Sequence, residues 1–252
     1  MTYETLLLEK QNGVGIITLN RPERLNALSF TLFAEFDRAL TQFEEDEEVK
    51  VVVITGTGEK AFSAGADIHE MAEMPAERLQ ERDVRRTDWT WHLAAYKKPT
   101  IGAINGLAYG GGALMSSIFD IRIGCERTRF RFLAVTYSRV NSTWSLPLMI
   151  GWPMAKELLF TGRVVEAEEA YRIGLLNRLV PSAELMKTAI EMGQLIAGND
   201  TAAVQAIREI MVKDIGLSWR EMQRNEAEIV ARSVDSPPAR ESFSSFLKRT
   251  SK

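Results

Sequence analysis

The chain has 252 residues, of which 45% are hydrophobic and 26% are charged, a composition typical of a globular protein with one large domain or a domain plus an appendage. Its formal net charge of −3 argues against binding to nucleic acid or to an anionic membrane surface. With one cysteine and two histidines, we expect no intrachain disulfide, no metal site and a reducing, cytoplasmic location.

Short β-type runs alternate with helical patterns in the N-terminal half. Apolar and β-branched runs predict strands at 5–10, 14–20, 51–55, 100–105 and 121–124. Apolar residues at helical spacing predict helices at 29–45, 70–93 and 112–119. This alternation indicates an α/β fold with crossover connections. Later helices are predicted at 153–160, 166–173, 183–197, 202–213, 219–231 and 239–248. The helix at 219–231 follows a capping box at Ser218 and Glu221.

Two glycine-bearing segments are the most informative feature of the chain. Residues 61–68 read AFSAGADI and residues 105–112 read NGLAYGGG, and each lies between a β-rich run and a helical stretch. Backbone N–H groups at the start of a helix lack an intrahelical partner and lie at the positive end of the helix dipole. Two such groups aimed at one point would bind an oxygen that becomes negatively charged.

The charged helix predicted at 70–93 carries Arg82, Arg85 and Arg86, in a chain without internal sequence repeats. These three arginines could form a local basic patch. The simpler interpretation, which we favour, is a solvated helix face.

Together with other segments, the glycine-bearing turns resemble the crotonase superfamily, also called the enoyl-CoA hydratase/isomerase family. The resemblance runs nearly end to end and includes RPERLNAL at 21–28, KPTIGAING at 98–106, GGG at 110–112 followed by Asp120, and KELLFTGR at 156–163. It implies an α/β fold with a spiral core of repeated ββα units over residues 1–195. Residues 196–252 would form a C-terminal helical trimerisation region.

The resemblance also implies a function. Family members bind acyl-CoA thioesters, and two backbone N–H groups hold the thioester oxygen; here these would belong to Ala66 and Gly111. The implied partners are an acyl-CoA and further copies of the chain, as a homotrimer or a dimer of trimers. Coenzyme A would be part of the substrate, with no separate cofactor. The implied coenzyme A contacts are Arg24, Ala27, Ala64, Gly65, Asp67 and Ile68.

The family pattern fails at the two positions that carry acid–base chemistry in hydratases. The glutamate two residues after the triple glycine is replaced by Leu114, and the second glutamate, twenty residues later, by Ala134. Neither side chain can move a proton, whereas hydration of a double bond needs a positioned water and a proton donor. Both residues are still expected to line the acyl pocket.

The next loop departs from the family as well. Superfamily members with other chemistries hold a reacting group near the positions of Asn141 and Ser142. These two residues and Tyr137 are therefore candidates to face the acyl group, although asparagine and serine are also ordinary turn residues. His69, three residues after Ala66, is a weaker candidate for a base.

The residues Trp89, Trp91, His92 and Tyr96 lie on the helix that lines the acyl pocket in relatives, where they could shape the acyl site. At least two of them are expected to be core or subunit contacts instead.

Three functions remain open from the sequence. The first is a lyase or isomerase that stabilises a thioester enolate, and a decarboxylase fits best because loss of CO₂ needs no strong base. The second is an acyl-CoA hydrolase, and the third is a catalytically silent acyl-CoA binder. A dinucleotide-binding oxidoreductase is disfavoured, since residues 106–112 contain no G-x-G-x-x-G motif.

Overall fold

The computed structural model describes residues 2–234. Within them the strands are Leu6–Gln11 (β1), Val14–Leu19 (β2), Val51–Gly56 (β3), Ala61–Ser63 (β4), Thr100–Ile104 (β5), Leu107–Tyr109 (β6), Ile121–Gly124 (β7), Arg129–Arg131 (β8), Val164–Glu166 (β9) and Arg178–Leu179 (β10). The α-helices are Phe30–Glu45 (α1), Ile68–Glu73 (α2), Ala76–Ala94 (α3), Gly111–Ser116 (α4), Leu146–Ile150 (α5), Trp152–Thr161 (α6), Ala167–Arg172 (α7), Leu185–Ala197 (α8), Thr201–Lys213 (α9) and Trp219–Ser233 (α10). Short 3₁₀ segments lie at Pro22–Arg24, Leu133–Tyr137 and Ser182–Glu184.

The strands form two sheets. The six-stranded sheet has the order β1-β2-β3-β5-β7-β10; β1 runs antiparallel to β2, and the other neighbouring pairs are parallel. The four-stranded sheet has the order β4-β6-β8-β9, with only β8 and β9 antiparallel. The predicted α/β class is therefore confirmed.

The strand pairs β3–β4, β5–β6 and β7–β8 form a structural repeat. The first strand of each pair lies in the six-stranded sheet and the second in the four-stranded sheet. Helical segments follow each pair, namely α2 and α3, then α4, then the 3₁₀ segment Leu133–Tyr137. The chain therefore winds as a spiral of ββα units, although the residues themselves do not repeat.

The six-stranded sheet is covered on both faces, as the β-branched run at 51–55 predicts. Successive side chains of a strand point to opposite faces. Val52 and Ile54 belong to one core cluster with the apolar side of α1, whereas Val51 and Val53 belong to another with α8. Helix α1 contributes residues at helical spacing: Leu32, Phe36, Leu40 and Phe43.

Several predicted elements need correction. The helix predicted at 70–93 is two helices, α2 and α3, separated by Met74 and Pro75, because proline lacks the N–H needed to continue α2. The sequence also misses α5 and the three-residue strands β4, β6, β8 and β9, which are too short to show an alternating pattern. The helix predicted at 239–248 lies outside the described residues.

The chain divides into two compact units between Gly198 and Asn199, three residues after the predicted boundary at 195/196. In the second unit, α9 and α10 pack through Ala206, Ile210 and Ile229. The predicted capping box at the start of α10 is present. Every helix within residues 2–234 is too short or too polar to cross a membrane.

Candidate active site

Two turns of the chain meet at one edge of the four-stranded sheet. Strand β4 leads through residues 64–67 into α2, and β6 leads through Gly110 into α4. Because β4 and β6 are parallel neighbours, their carboxyl ends lie at the same edge, where ligands bind in many α/β proteins. The two glycine-bearing segments of the sequence are thereby brought together.

The two turns touch through their main chains at Gly65. This residue has φ +92°, a conformation that favours glycine. A Cβ on Gly65 would lie 2.6 Å from the carbonyl oxygen of Tyr109 and 2.8 Å from the amide nitrogen of Gly111. Only glycine therefore allows the backbones to approach this closely.

Most N–H groups of the two turns donate hydrogen bonds within the protein: Ala64 to Leu25 O (2.9 Å), Gly65 to Ser63 Oγ (3.2 Å), Asp67 to Leu28 O (3.2 Å) and Gly110 to Arg131 O (2.9 Å). Ala66 and Gly111 differ, because their N–H groups have no hydrogen-bond partner among residues 2–234. A Cβ on Gly111 would lie 3.5 Å from Ala66 N, so the two free donors are close together. Two neighbouring donors of this kind are the groups that an oxyanion hole requires.

Asp67 follows Ala66 directly, but its carboxylate is engaged in the fold. Its Oδ1 accepts a hydrogen bond from Glu70 N at 3.2 Å, which caps α2, and its Oδ2 lies 2.9 Å from Arg21 Nη2. Burial raises the pKa of Asp67, but the Glu70 N–H and Arg21 outweigh it and hold that pKa below its usual range. The carboxylate positions the turn and is not a free base.

A cavity of about 960 Å³ is lined by both Ala66 and Gly111, a size at the upper end for small-molecule sites. The other predicted site residues in its lining are Arg24, Ala27, Ala64, Asp67, Ile68, Leu114, Ala134, Tyr137 and Asn141. Gly65, which the resemblance implied as a coenzyme A contact, is buried and does not line the cavity. His69 also lines the cavity and is exposed.

Part of the cavity wall is apolar. It includes Leu114 on α4 and Ala134 in the 3₁₀ segment, together with Phe33, Phe36, Trp89, Leu93, Met115 and Ile118. Among the described residues of the lining, only Glu23 and Asp67 are acidic. Glu23 is exposed at the Pro22–Arg24 turn, and Asp67 is paired. Neither carboxylate belongs to the apolar part of the described lining.

The three polar candidates at the end of the 3₁₀ segment and in the loop after it differ in whether they line the cavity. Asn141 lines the cavity and Tyr137 does so with 66% of its surface exposed. Ser142 is fully buried outside the cavity lining, has φ +59°, and donates to Asn141 Oδ1 at 3.3 Å. Ser142 therefore supports the loop and Asn141 instead of facing the cavity.

Of the four aromatic and histidine candidates on and after α3, only Trp89 lines the cavity. It stacks on Phe33 with ring centroids 5.3 Å apart. The Tyr96 hydroxyl is buried and donates to Leu40 O at 2.9 Å, His92 Nδ1 lies 2.6 Å from Asp37 Oδ1, and Trp91 is exposed.

The prediction of a solvated arginine face is wrong for Arg82. This residue lines the cavity and is 1% exposed. It lies seven and eleven residues before the buried Trp89 and Leu93 of α3, a spacing that places all three on one helix face. The same spacing, visible in the sequence, is the signal that could have placed Arg82 on the buried face of the helix. Arg86, Arg131 and Arg139 also line the cavity.

The chain is similar to known proteins in both sequence and structure. The model of the enoyl-CoA hydratase/isomerase family matches residues 9–252. The chain is 34% identical over 253 residues to a short-chain-enoyl-CoA hydratase of Clostridium acetobutylicum, covering 99% of this chain and 97% of that protein. It is 35% identical over 223 residues to a crotonyl-CoA hydratase of Syntrophomonas wolfei, covering 85% of each.

Among solved structures, an enoyl-CoA hydratase from Bacillus anthracis superposes with a TM-score of 0.92 and 32% identity, covering 98% of this chain and 97% of that one. The predicted crotonase-like fold is thus confirmed, and the chain belongs to the enoyl-CoA hydratase/isomerase family.

Proposed function

We propose that this protein binds an acyl-CoA thioester and stabilises the thioester enolate through the N–H groups of Ala66 and Gly111. The observation that carries the proposal is the adjacent pair of unpaired amides at the surface of a large cavity. Fixed donors that are partly shielded from water lower the energy of a developing negative oxygen, and one donor typically contributes about 10²–10³-fold in rate.

Within that framework, we propose a decarboxylase. In a thioester with a carboxylate on Cα, the bond between Cα and the carboxylate breaks, CO₂ leaves, and the electron pair forms the enolate. A proton from solvent then adds to Cα and gives the shorter acyl-CoA. The apolar wall at Leu114 and Ala134 supports this reaction, because a carboxylate leaving as neutral CO₂ needs no general base.

Coenzyme A is proposed to lie along the mouth of the cavity, beside Arg24, Ala27, Ala64, Asp67 and Ile68. All five line the cavity. The exposed guanidinium of Arg24 could pair with a phosphate of the coenzyme, an interaction for which arginine is well suited.

A substrate panel tests the proposal. Purified protein is incubated separately with methylmalonyl-CoA, crotonyl-CoA and a saturated acyl-CoA, and CO₂, hydration product and free thiol are measured. We expect CO₂ release from methylmalonyl-CoA and its loss in Gly111→Val, because the added side chain would crowd the Ala66 amide. Circular dichroism of the variant checks that it folds.

The other outcomes separate the alternatives. Binding of every acyl-CoA without turnover would identify a silent binder, and release of free thiol would identify a hydrolase. Rapid hydration of crotonyl-CoA would contradict the role given to Leu114 and Ala134 and would require a base elsewhere.

We also propose a homotrimer or a dimer of trimers. Large apolar side chains are exposed on and near α9 and α10, among them Ile207, Met211, Ile215 and Trp219, and such surfaces mark contacts between proteins. Light scattering coupled to gel filtration measures the assembly, and a monomer would refute it.

A further inference from the structure

Arg82 has an unusual environment for a charged residue. Its side chain is 2% exposed, and its Nε and Nη2 atoms have no hydrogen-bond partner among residues 2–234. Buried charged groups are normally paired, because removing an unpaired charge from water is costly. The missing partner of Arg82 is therefore to be sought in the cavity that the side chain lines.

The acidic residues around Arg82 do not supply that partner. Asp83 Oδ1 lies 3.4 Å from Arg82 Nη1, but Asp83 is about half exposed and also lies 3.9 Å from Arg86 Nε. Glu70 Oε2 accepts a hydrogen bond from Phe30 N at 2.9 Å. Both carboxylates leave the Nε and Nη2 edge of the guanidinium unoccupied.

The unpaired atoms indicate the shape of the missing ligand. Nε–H and Nη2–H lie on the same edge of the guanidinium and point in parallel, an arrangement that matches the two oxygens of a carboxylate. Arg86 and Arg139 also line the cavity, and both lower the pKa of Arg82, after the larger effect of burial. An anion entering this region would therefore meet positive charge from three arginines.

We propose that Arg82 binds a carboxylate carried by the acyl group, so that the protein selects acyl-CoA thioesters of dicarboxylic acids over those of simple fatty acids. This inference rests on the proposed acyl-CoA function and names its substrate class. Arg82 acts here in binding and orientation. A guanidinium stabilises a carboxylate in the ground state and does not itself promote its loss.

Equilibrium binding by calorimetry tests the inference without any need for turnover. Succinyl- and glutaryl-CoA carry no carboxylate on Cα and so are not consumed by the proposed decarboxylation. Each is compared with the neutral thioester of equal chain length, namely butyryl- and pentanoyl-CoA. We expect at least one carboxylated ligand to bind about 10- to 100-fold more tightly than its neutral counterpart, the range of one charged hydrogen-bonded pair. The preferred chain length reports the distance from the oxyanion hole to Arg82.

Variants on α3 assign the effect to one side chain. Arg82→Met should remove the preference and leave binding of the neutral ligands within about twofold, since methionine keeps the apolar stem. Arg82→Lys should retain part of the preference for carboxylated ligands, because lysine keeps the charge but not the paired donors. The matched control is Arg85→Met, which changes an exposed arginine of the same helix outside the cavity lining and should preserve the preference.

The result that overturns the inference is equal binding of carboxylated and neutral ligands by the wild-type protein, or a preference that survives in Arg82→Met. Either result leaves the proposed function intact. Failure of every acyl-CoA to bind would refute both proposals.

Discussion

Arg82→Met is expected to stabilise the ligand-free protein, although it removes a residue from the centre of a binding site. Arg82 is fully buried, yet two of its nitrogen atoms are unpaired among residues 2–234. In the unfolded chain both nitrogens bind water, so folding loses those hydrogen bonds without replacement. Methionine has a similar length and no polar hydrogen, and it suits a wall that already contains Trp89 and Leu93.

The size of the effect follows from the environment of Arg82. Each unsatisfied buried donor costs about 1–3 kcal/mol, and replacing buried ionic groups with apolar ones has stabilised proteins by about 1–4 kcal/mol. The ion pair with Asp83, which the substitution removes, is worth less than about 1 kcal/mol, since Asp83 is largely solvated. We expect a net gain of about 2 kcal/mol, which in a chain of this length raises Tm by roughly 4–8 °C.

We measure this gain by thermal and urea unfolding of the ligand-free wild type, Arg82→Met and Arg85→Met. The protein concentrations are matched, because assembly also affects Tm. Arg85 is exposed and pairs with Glu81 at 2.9 Å, so its substitution should change the free energy of unfolding by less than about 0.5 kcal/mol. The reasoning is refuted if Arg82→Met lowers the free energy of unfolding by more than about 1 kcal/mol while the control does not.

Three further predictions concern the turn and the wall. Gly65→Ala should destabilise the protein by about 2–5 kcal/mol, from left-handed strain plus backbone overlap. Gly151 also has a positive φ, +76°, but open space where a Cβ would lie, so Gly151→Ala is the control and should cost only the strain. Equal losses of unfolding free energy in the two variants, measured by urea unfolding, would contradict the backbone overlap at Gly65. Because the pKa of Asp67 is lowered in the fold, its carboxylate contributes stability above its usual pKa of about 3.9, and this is lost as pH falls through the folded pKa. The free energy of unfolding of wild type minus that of Asp67→Asn should shrink below about pH 4, and a constant difference down to pH 3 would refute this. Leu114→Glu combined with Ala134→Glu should raise crotonyl-CoA hydration above the wild-type rate, and unchanged hydration in a folded variant would oppose the role given to these positions.

The two glycine-bearing turns were accessible to sequence reasoning because their signals are local. Gly65 and the triple glycine at 110–112 stand where a strand passes into a helix, and that order survives in the fold. What the sequence could not supply is the meeting of the two turns, since this depends on the pairing of β4 with β6. Strands of three residues carry too little pattern to reveal their partners.

The environment of Arg82 was hidden for a different reason. Charge on a helix usually indicates solvent, and α3 is rich in charged residues over most of its length. Only the spacing to Trp89 and Leu93 indicates that one arginine shares the buried face. The burial of Ser142 had no signal of this kind, because a serine in a turn gives no sign that it is enclosed.

The donors at positions 66 and 111 belong to peptide bonds, which has a consequence for how such a protein can diverge. Nearly every replacement at Ala66 would retain the amide hydrogen, and proline alone would abolish it. A carboxylate side chain, by contrast, is lost with a single codon change. If the two amides hold a thioester oxygen as proposed, a lineage could exchange one reaction for another many times while the binding of that oxygen persisted.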